Sequence, residues 1–322
     1  MGKKSHSRRH LVSASAVYLS IFLVFTALAA AILIIGLSRE TQAAARSKAD
    51  NPISYPWPSD TAGSAAIPVV PLEHPMAAPI QEPGAGVQEK TGHRGTLVFI
   101  LDDAGHNIWQ LEPFLALPFP ISIAVLPRLP NTRKAAAMTV SAGKELMLHQ
   151  PMEAVGGSDP GPGALFLTME DHEIRLTIRE NLAQLPGVVG INNHMGSKAT
   201  ADERIMSIVL DEARRAGVYF VDSLTIADSV VHSVASLMNL RTWERTVFLD
   251  NTPDRASIMK YVSEGTKIAE KRGYAIMIGH VWSAELAQTL SDLYPQLVEQ
   301  GFSLSTISRI MMDGDDDEDF GN

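Results

Sequence analysis

Two adjacent carboxylates, Asp102 and Asp103, stand at the end of the apolar run Leu97-Val98-Phe99-Ile100-Leu101 and are followed by Ala104-Gly105. Five apolar residues in succession predict a strand buried on both faces, and charge at the point where such a strand leaves a parallel sheet lies where ligands bind. The alternative is that Asp103 only caps a following helix or turn. Polar groups end other apolar runs in the same way. His149 closes Glu145–His149, His194 follows Val188–Asn192, Asp222 closes Tyr219–Asp222, Asp250 closes Thr246–Asp250, and His280 closes Tyr274–His280. If these strands are parallel, three imidazoles and several carboxylates reach one mouth, which is the make-up of a divalent-metal site. One carboxylate and two imidazoles on a metal keep positions open for water and for a substrate carbonyl. A second carboxylate can then take the proton of the water, and a histidine across the site can protonate a leaving amine. Asp102 and Asp103 are expected to alternate in direction, so that one binds metal and the other acts as base. Asp222 and Asp250 are candidates for a catalytic role or for N-caps of the next helices.

The elements that would position these groups follow from spacing. The apolar runs, with Ile121–Leu126 completing a set of seven, recur mostly at 25 to 40 residues, the interval of βα units rather than of hairpins. Ser303–Ile307 offers an eighth strand. Helices are predicted at Asn131–Ala142, Glu170–Leu185, Asp202–Ala216, Ser257–Arg272 and Ala284–Gln300. Without a glycine-rich dinucleotide fingerprint, the expectation is an α/β fold in the form of a distorted (β/α) barrel of about seven parallel strands.

The chain has 322 residues, 45% of them apolar, and no cysteine, which excludes disulfides and thiolate catalysis and leaves His, Asp and Glu as metal ligands. A net charge of -9 argues against nucleic-acid binding by phosphate neutralisation. Residues 1–10 carry Lys3, Lys4, Arg8 and Arg9, and residues 11–37 contain no charged side chain. That length predicts a transmembrane anchor with a cytoplasmic N-terminus, so the remainder is expected on the extracytoplasmic side of the cell membrane. Small residues near Ala29-Ala30-Ala31 and Ala43-Ala44-Ala45 keep cleavage as the alternative. Residues 38–94, rich in Pro and Ala, are expected to be a linker, 95–311 the barrel, and 312–322 an acidic disordered tail.

The stretches Leu101-Asp102-Asp103-Ala104-Gly105, Met147-Leu148-His149-Gln150-Pro151-Met152-Glu153, Gly161-Pro162-Gly163-Ala164-Leu165, Gly190-Ile191-Asn192-Asn193-His194-Met195-Gly196-Ser197, Phe220-Val221-Asp222-Ser223 and Ile278-Gly279-His280 together resemble the divergent polysaccharide deacetylase family. The resemblance implies a distorted barrel, a divalent metal, usually zinc, and removal of acetyl groups from an envelope polysaccharide such as peptidoglycan. By position it implies that Asp102 is the catalytic base, Asp103 a metal ligand and His280 the general acid. The paired His-x-x-x-His of the wider superfamily is absent, since Lys198 and Glu153 stand four residues after His194 and His149. The metal histidines are therefore assigned one from each of two strands, His149 and His194. The alternative is an envelope protein that keeps the barrel but only binds glycan or a partner.

Overall fold

The computed structural model describes residues 92–318. The basic segment 1–10, the expected span 11–37, nearly all of the linker and residues 319–322 lie outside them. Among the described residues no helix is long and apolar enough to cross a membrane.

Strands β1 (Gly95–Ala104), β2 (Ser122–Val125), β3 (Glu145–Met152), β4 (Gly190–Met195), β5 (Tyr219–Asp222), β6 (Trp243–Glu244), β7 (Val247–Phe248), β8 (Tyr274–His280) and β9 (Phe302–Ser305) form one sheet. Every pairing is parallel. The order is β6-β5-β4-β3-β2-β1-β8-β7, with β9 added to the lower half of β1. No ladder joins β6 to β7 among the described residues, so the sheet curls into an open barrel of nine strands rather than about seven. Helices α1 (Ile108–Leu115), α2 (Thr132–Ser141), α3 (Asp171–Leu182), α4 (Glu203–Ala216), α5 (Val231–Leu237), α6 (Arg255–Arg272), α7 (Ala284–Glu299) and α8 (Ile307–Glu318) complete the fold.

Local chemistry explains the longer helices. Asp202 caps α4 by accepting from Ile205 N at 2.8 Å, and Gly217 ends it in the left-handed conformation at φ 69°. Asp254 and Gly273 do the same for α6. Alternation along each strand then divides the apolar residues. Val98, Ile100, Met147, Val221, Ile276 and Ile278 fill the barrel interior, while Leu97, Phe99, Leu101, Leu148, Phe220 and Met277 pack outward under the helices.

The expected eighth strand, Ser303–Ile307, is corrected at its end. Ile307 does not end a strand but begins α8, which runs to Glu318. The reason is packing. Ile307 is fully buried in the barrel interior, with Ile310 and Met311 partly buried beside it, so one helical face closes the floor of the barrel.

Candidate active site

The strand register brings the site together. Asp102 lies beside His280 across β1 and β8, His149 beside Asn192 across β3 and β4, and Pro151 beside His194 one pleat further on. Asp102, His149, Asn192, His194 and His280 each fall on the inward face by alternation from their interior neighbours.

Asp103 does not, and here the expectation of simple alternation needs correcting. Continued pleating would aim Asp103 at the helices. Instead the β1–β2 register slips between Leu101 and Ala104, and Asp103 adopts φ 65°, a left-handed conformation uncommon outside glycine, asparagine and aspartate. The irregularity turns both carboxylates into the same mouth.

Asp103 Oδ1, His149 Nε2 and His194 Nδ1 converge: Asp103 is 3.3 Å from His149 and 3.1 Å from His194, and the two imidazole nitrogens are 3.1 Å apart. His149 donates its Nδ1–H to Asn192 Oδ1 at 2.8 Å, which leaves Nε2 with its lone pair toward the triad. Asp103 Oδ2 accepts from Trp282 Nε1 at 3.2 Å, whereas Oδ1 is buried without a hydrogen-bond partner. An orphaned carboxylate oxygen and two imidazoles at these separations fit a small divalent cation, since the edge of a tetrahedron with zinc-type bonds is about 3.4 Å. Asp103, His149 and His194 could hold such an ion and leave one position open. Burial opposes ionisation of Asp103, but the two imidazoles hold its carboxyl far below the ordinary range.

Asp102 lies just behind, with Oδ2 at 3.6 Å from His149 Nε2 and Oδ1 accepting from Asn192 Nδ2 at 2.8 Å. Burial raises its pKa, with the Asp103 charge adding to the effect and His149, His280 and Asn192 opposing it. His280 stands on the other flank, its Nδ1 2.9 Å from Asp250 Oδ1 and its backbone N donating to Asp250 Oδ2 at 2.8 Å. Burial disfavours the imidazolium, but Asp250, together with the charges of Asp102 and Asp103, pushes the His280 pKa up to about 9. Trp282 stacks on one face of the ring at 5.0 Å and Phe248 at 6.1 Å.

Six of the seven carboxylates and imidazoles that the sequence singles out therefore meet here, with Asp250 acting through His280. Asp222 does not. It follows outward-facing Phe220 by two residues, and its carboxylate accepts from Leu224 N at 2.8 Å and from the Ser229 hydroxyl, closing the loop after β5. Asn192 and Trp282 are the residues that the sequence reading does not single out. Asn192 could have been found by parity, because it shares the inward face with His194, whereas nothing local marks Trp282.

Comparison with known proteins identifies the family to which this fold belongs. An uncharacterised protein of Haemophilus influenzae is 31% identical over 186 residues, covering 57% of this chain and 66% of its own length. The uncharacterised protein YibQ of Escherichia coli is 33% identical over 206 residues, covering 63% of this chain and 65% of its own. The chain thus spans just under two thirds of the length of these relatives. An uncharacterised protein of Agrobacterium tumefaciens, solved by crystallography, shares the fold with a TM-score of 0.64 at 18% identity, covering 69% of this chain and 92% of that one. The family model of divergent polysaccharide deacetylases matches residues 99–311, from β1 into α8 and across every group described above, and the chain belongs to that family.

Proposed function

We propose that this protein is a metal-dependent hydrolase that removes acetyl groups from an envelope polysaccharide such as peptidoglycan, held at the membrane by the segment 11–37. The observation that carries the reading is the orphaned Asp103 Oδ1 facing His149 and His194, with the buried Asp102 carboxyl on one side and the Asp250-paired His280 imidazole on the other. Asp103, His149 and His194 would hold a divalent cation, zinc in the first instance, whose Lewis acidity would polarise the acyl carbonyl and acidify water. Asp102 takes the proton of the attacking water through Oδ2, since Asn192 fixes Oδ1 and so the orientation of the carboxylate. Its burial raises its basicity toward the working pH. His280, charged at neutral pH and oriented by Asp250 and the two flanking aromatic rings, gives a proton to the leaving sugar nitrogen or oxygen. The basic cluster ahead of residues 11–37 supports an extracytoplasmic placement, where such a polysaccharide is found.

The test is acetate release from acetylated chito-oligosaccharides and peptidoglycan by the full chain, together with its metal content. Stoichiometric metal lost in Asp103→Ala and His194→Ala, and acetate release abolished in Asp102→Asn, are expected. Glycan binding without acetate release by the metal-loaded wild type would make the chain a non-catalytic glycan binder instead, and absence of bound metal under replete conditions would refute the mechanism.

A further inference from the structure

One sequence stretch, Asp159-Pro160-Gly161-Pro162-Gly163, has no part in the chemistry above, yet the structure holds it firmly beside the site. The Gly163 carbonyl accepts from Gln150 Nε2 and Asn181 Nδ2, both at 2.9 Å, and Asn181 also donates to Gln150 Oε1 at 2.9 Å. Gln150 and Asn181 are fully buried. Arg128 Nε closes the bracket on Asn181 Oδ1 at 3.0 Å. The bracketed loop faces the turn after β2 across a cavity of about 190 Å3. Leu126, Leu129, Pro151 and Pro160 make its walls, and His194 is shared with the metal-type triad. The exposed side chains of His106 and Asp159 stand at the edge, so no charge has to be buried to fill the interior.

Strand order fixes what this cavity can receive. Across the mouth the order β7-β8-β1-β2-β3-β4 puts His280 on one flank and His194 with the cavity on the other. In hydrolysis at an acyl carbon, the leaving amine or alcohol must lie against the general acid, so the sugar occupies the His280 flank. The acyl substituent then points away from it, toward His194. A methyl group needs little of that space: a water-sized group takes roughly 30 Å3, and the cavity exceeds this several-fold.

On the reading of the site as a deacylase, which this inference rests on, we propose that the cavity between the β2 turn and the Asp159–Gly163 loop is an acyl pocket, and that the enzyme accepts sugar-linked acyl groups of about four to six carbons in preference to acetyl. The reaction is unchanged: the water oxygen bonds to the acyl carbon and gives one proton to Asp102, and the C–N or C–O bond breaks as the leaving atom takes a proton from His280. The acid departs as its carboxylate, its remaining proton returning to His280 and the proton on Asp102 passing to the leaving amine or to solvent. Each added methylene that enters the apolar walls raises kcat/KM about fourfold until the pocket is full.

The experiment compares release of acetate, propionate, butyrate and hexanoate by the metal-loaded full chain from chito-oligosaccharides N-acylated with each acid. An optimum beyond acetyl is expected, with butyryl exceeding acetyl by about tenfold or more. Leu129→Trp and, separately, His106→Trp shrink the pocket and lower the butyryl-to-acetyl ratio by tenfold or more, a ratio read within each variant and so independent of how much of it folds. Acetate release with no gain for longer chains in the wild type overturns the acyl pocket and leaves the deacetylase reading standing. An unchanged ratio in both variants also overturns the pocket. Release from none of the four substrates refutes the deacylase reading, and the pocket with it.

Discussion

Asn192 holds the base and a metal-type ligand with the two ends of one amide: Nδ2 on Asp102 and Oδ1 on His149. Removing it leaves Asp102 free to rotate and lets His149 change tautomer. Asn192→Ala is expected to lower kcat by 10- to 100-fold and metal affinity by a similar factor, read by acetate release and by a competitive metal titration. Asn192→Asp, which keeps the shape but cannot donate to Asp102, should impair kcat more than metal binding. His280 gives a pH test. Its acid form is the working one and its pKa is raised to about 9 without metal, so activity is retained at neutral pH and lost as pH rises through the pKa. A bound cation offsets the Asp102 and Asp103 charges and draws this alkaline limb below 9, while Asp250→Asn removes the principal partner and shifts it lower again in the pH–rate profile. Residue types at strand ends made Asp102, Asp103, His149, His194, Asp250 and His280 legible in the sequence. Asp222 misled because residue type does not carry direction: counting by twos from Phe220 puts it on the helix side.

At the scale of elements, alternation places most of the site and one irregularity completes it. The slip and the left-handed Asp103 are invisible in the sequence, because Asp tolerates both extended and left-handed backbone and nothing local demands either. Five helices were legible to within a few residues from their apolar period and caps, as with Asp202 and Gly217 around α4. Helix α1 was not, since Pro113 lies inside it, and β6 is only two residues long. The C-terminal helix hid behind its acidic composition, although its floor-closing face starts at Ile307. Ile307→Ala is expected to cost roughly 2–4 kcal/mol of unfolding free energy in denaturant titrations, since the side chain is fully buried. A comparable loss follows for Gly163→Ala, where φ is 76° and a Cβ would stand 2.7 Å from Asn181 Oδ1.

For the whole molecule, composition and charge pattern alone speak of residues 1–91, and the expectation is direct. The full chain should sediment with membranes and resist extraction by high salt, whereas a chain begun at residue 41 should be released on fractionation. The strand pairing has a further consequence, in the order of assembly. The first strand of the domain pairs along its lower half with the last, Gly95 beside Phe302 and Val98 beside Ser305, and α8 closes the floor only after that. A ribosome-bound chain therefore cannot complete its core as it emerges. Nearly two hundred residues must be synthesised after β1 before its lower edge is covered, so contacts distant in sequence govern the folding rate and closure of the domain comes late.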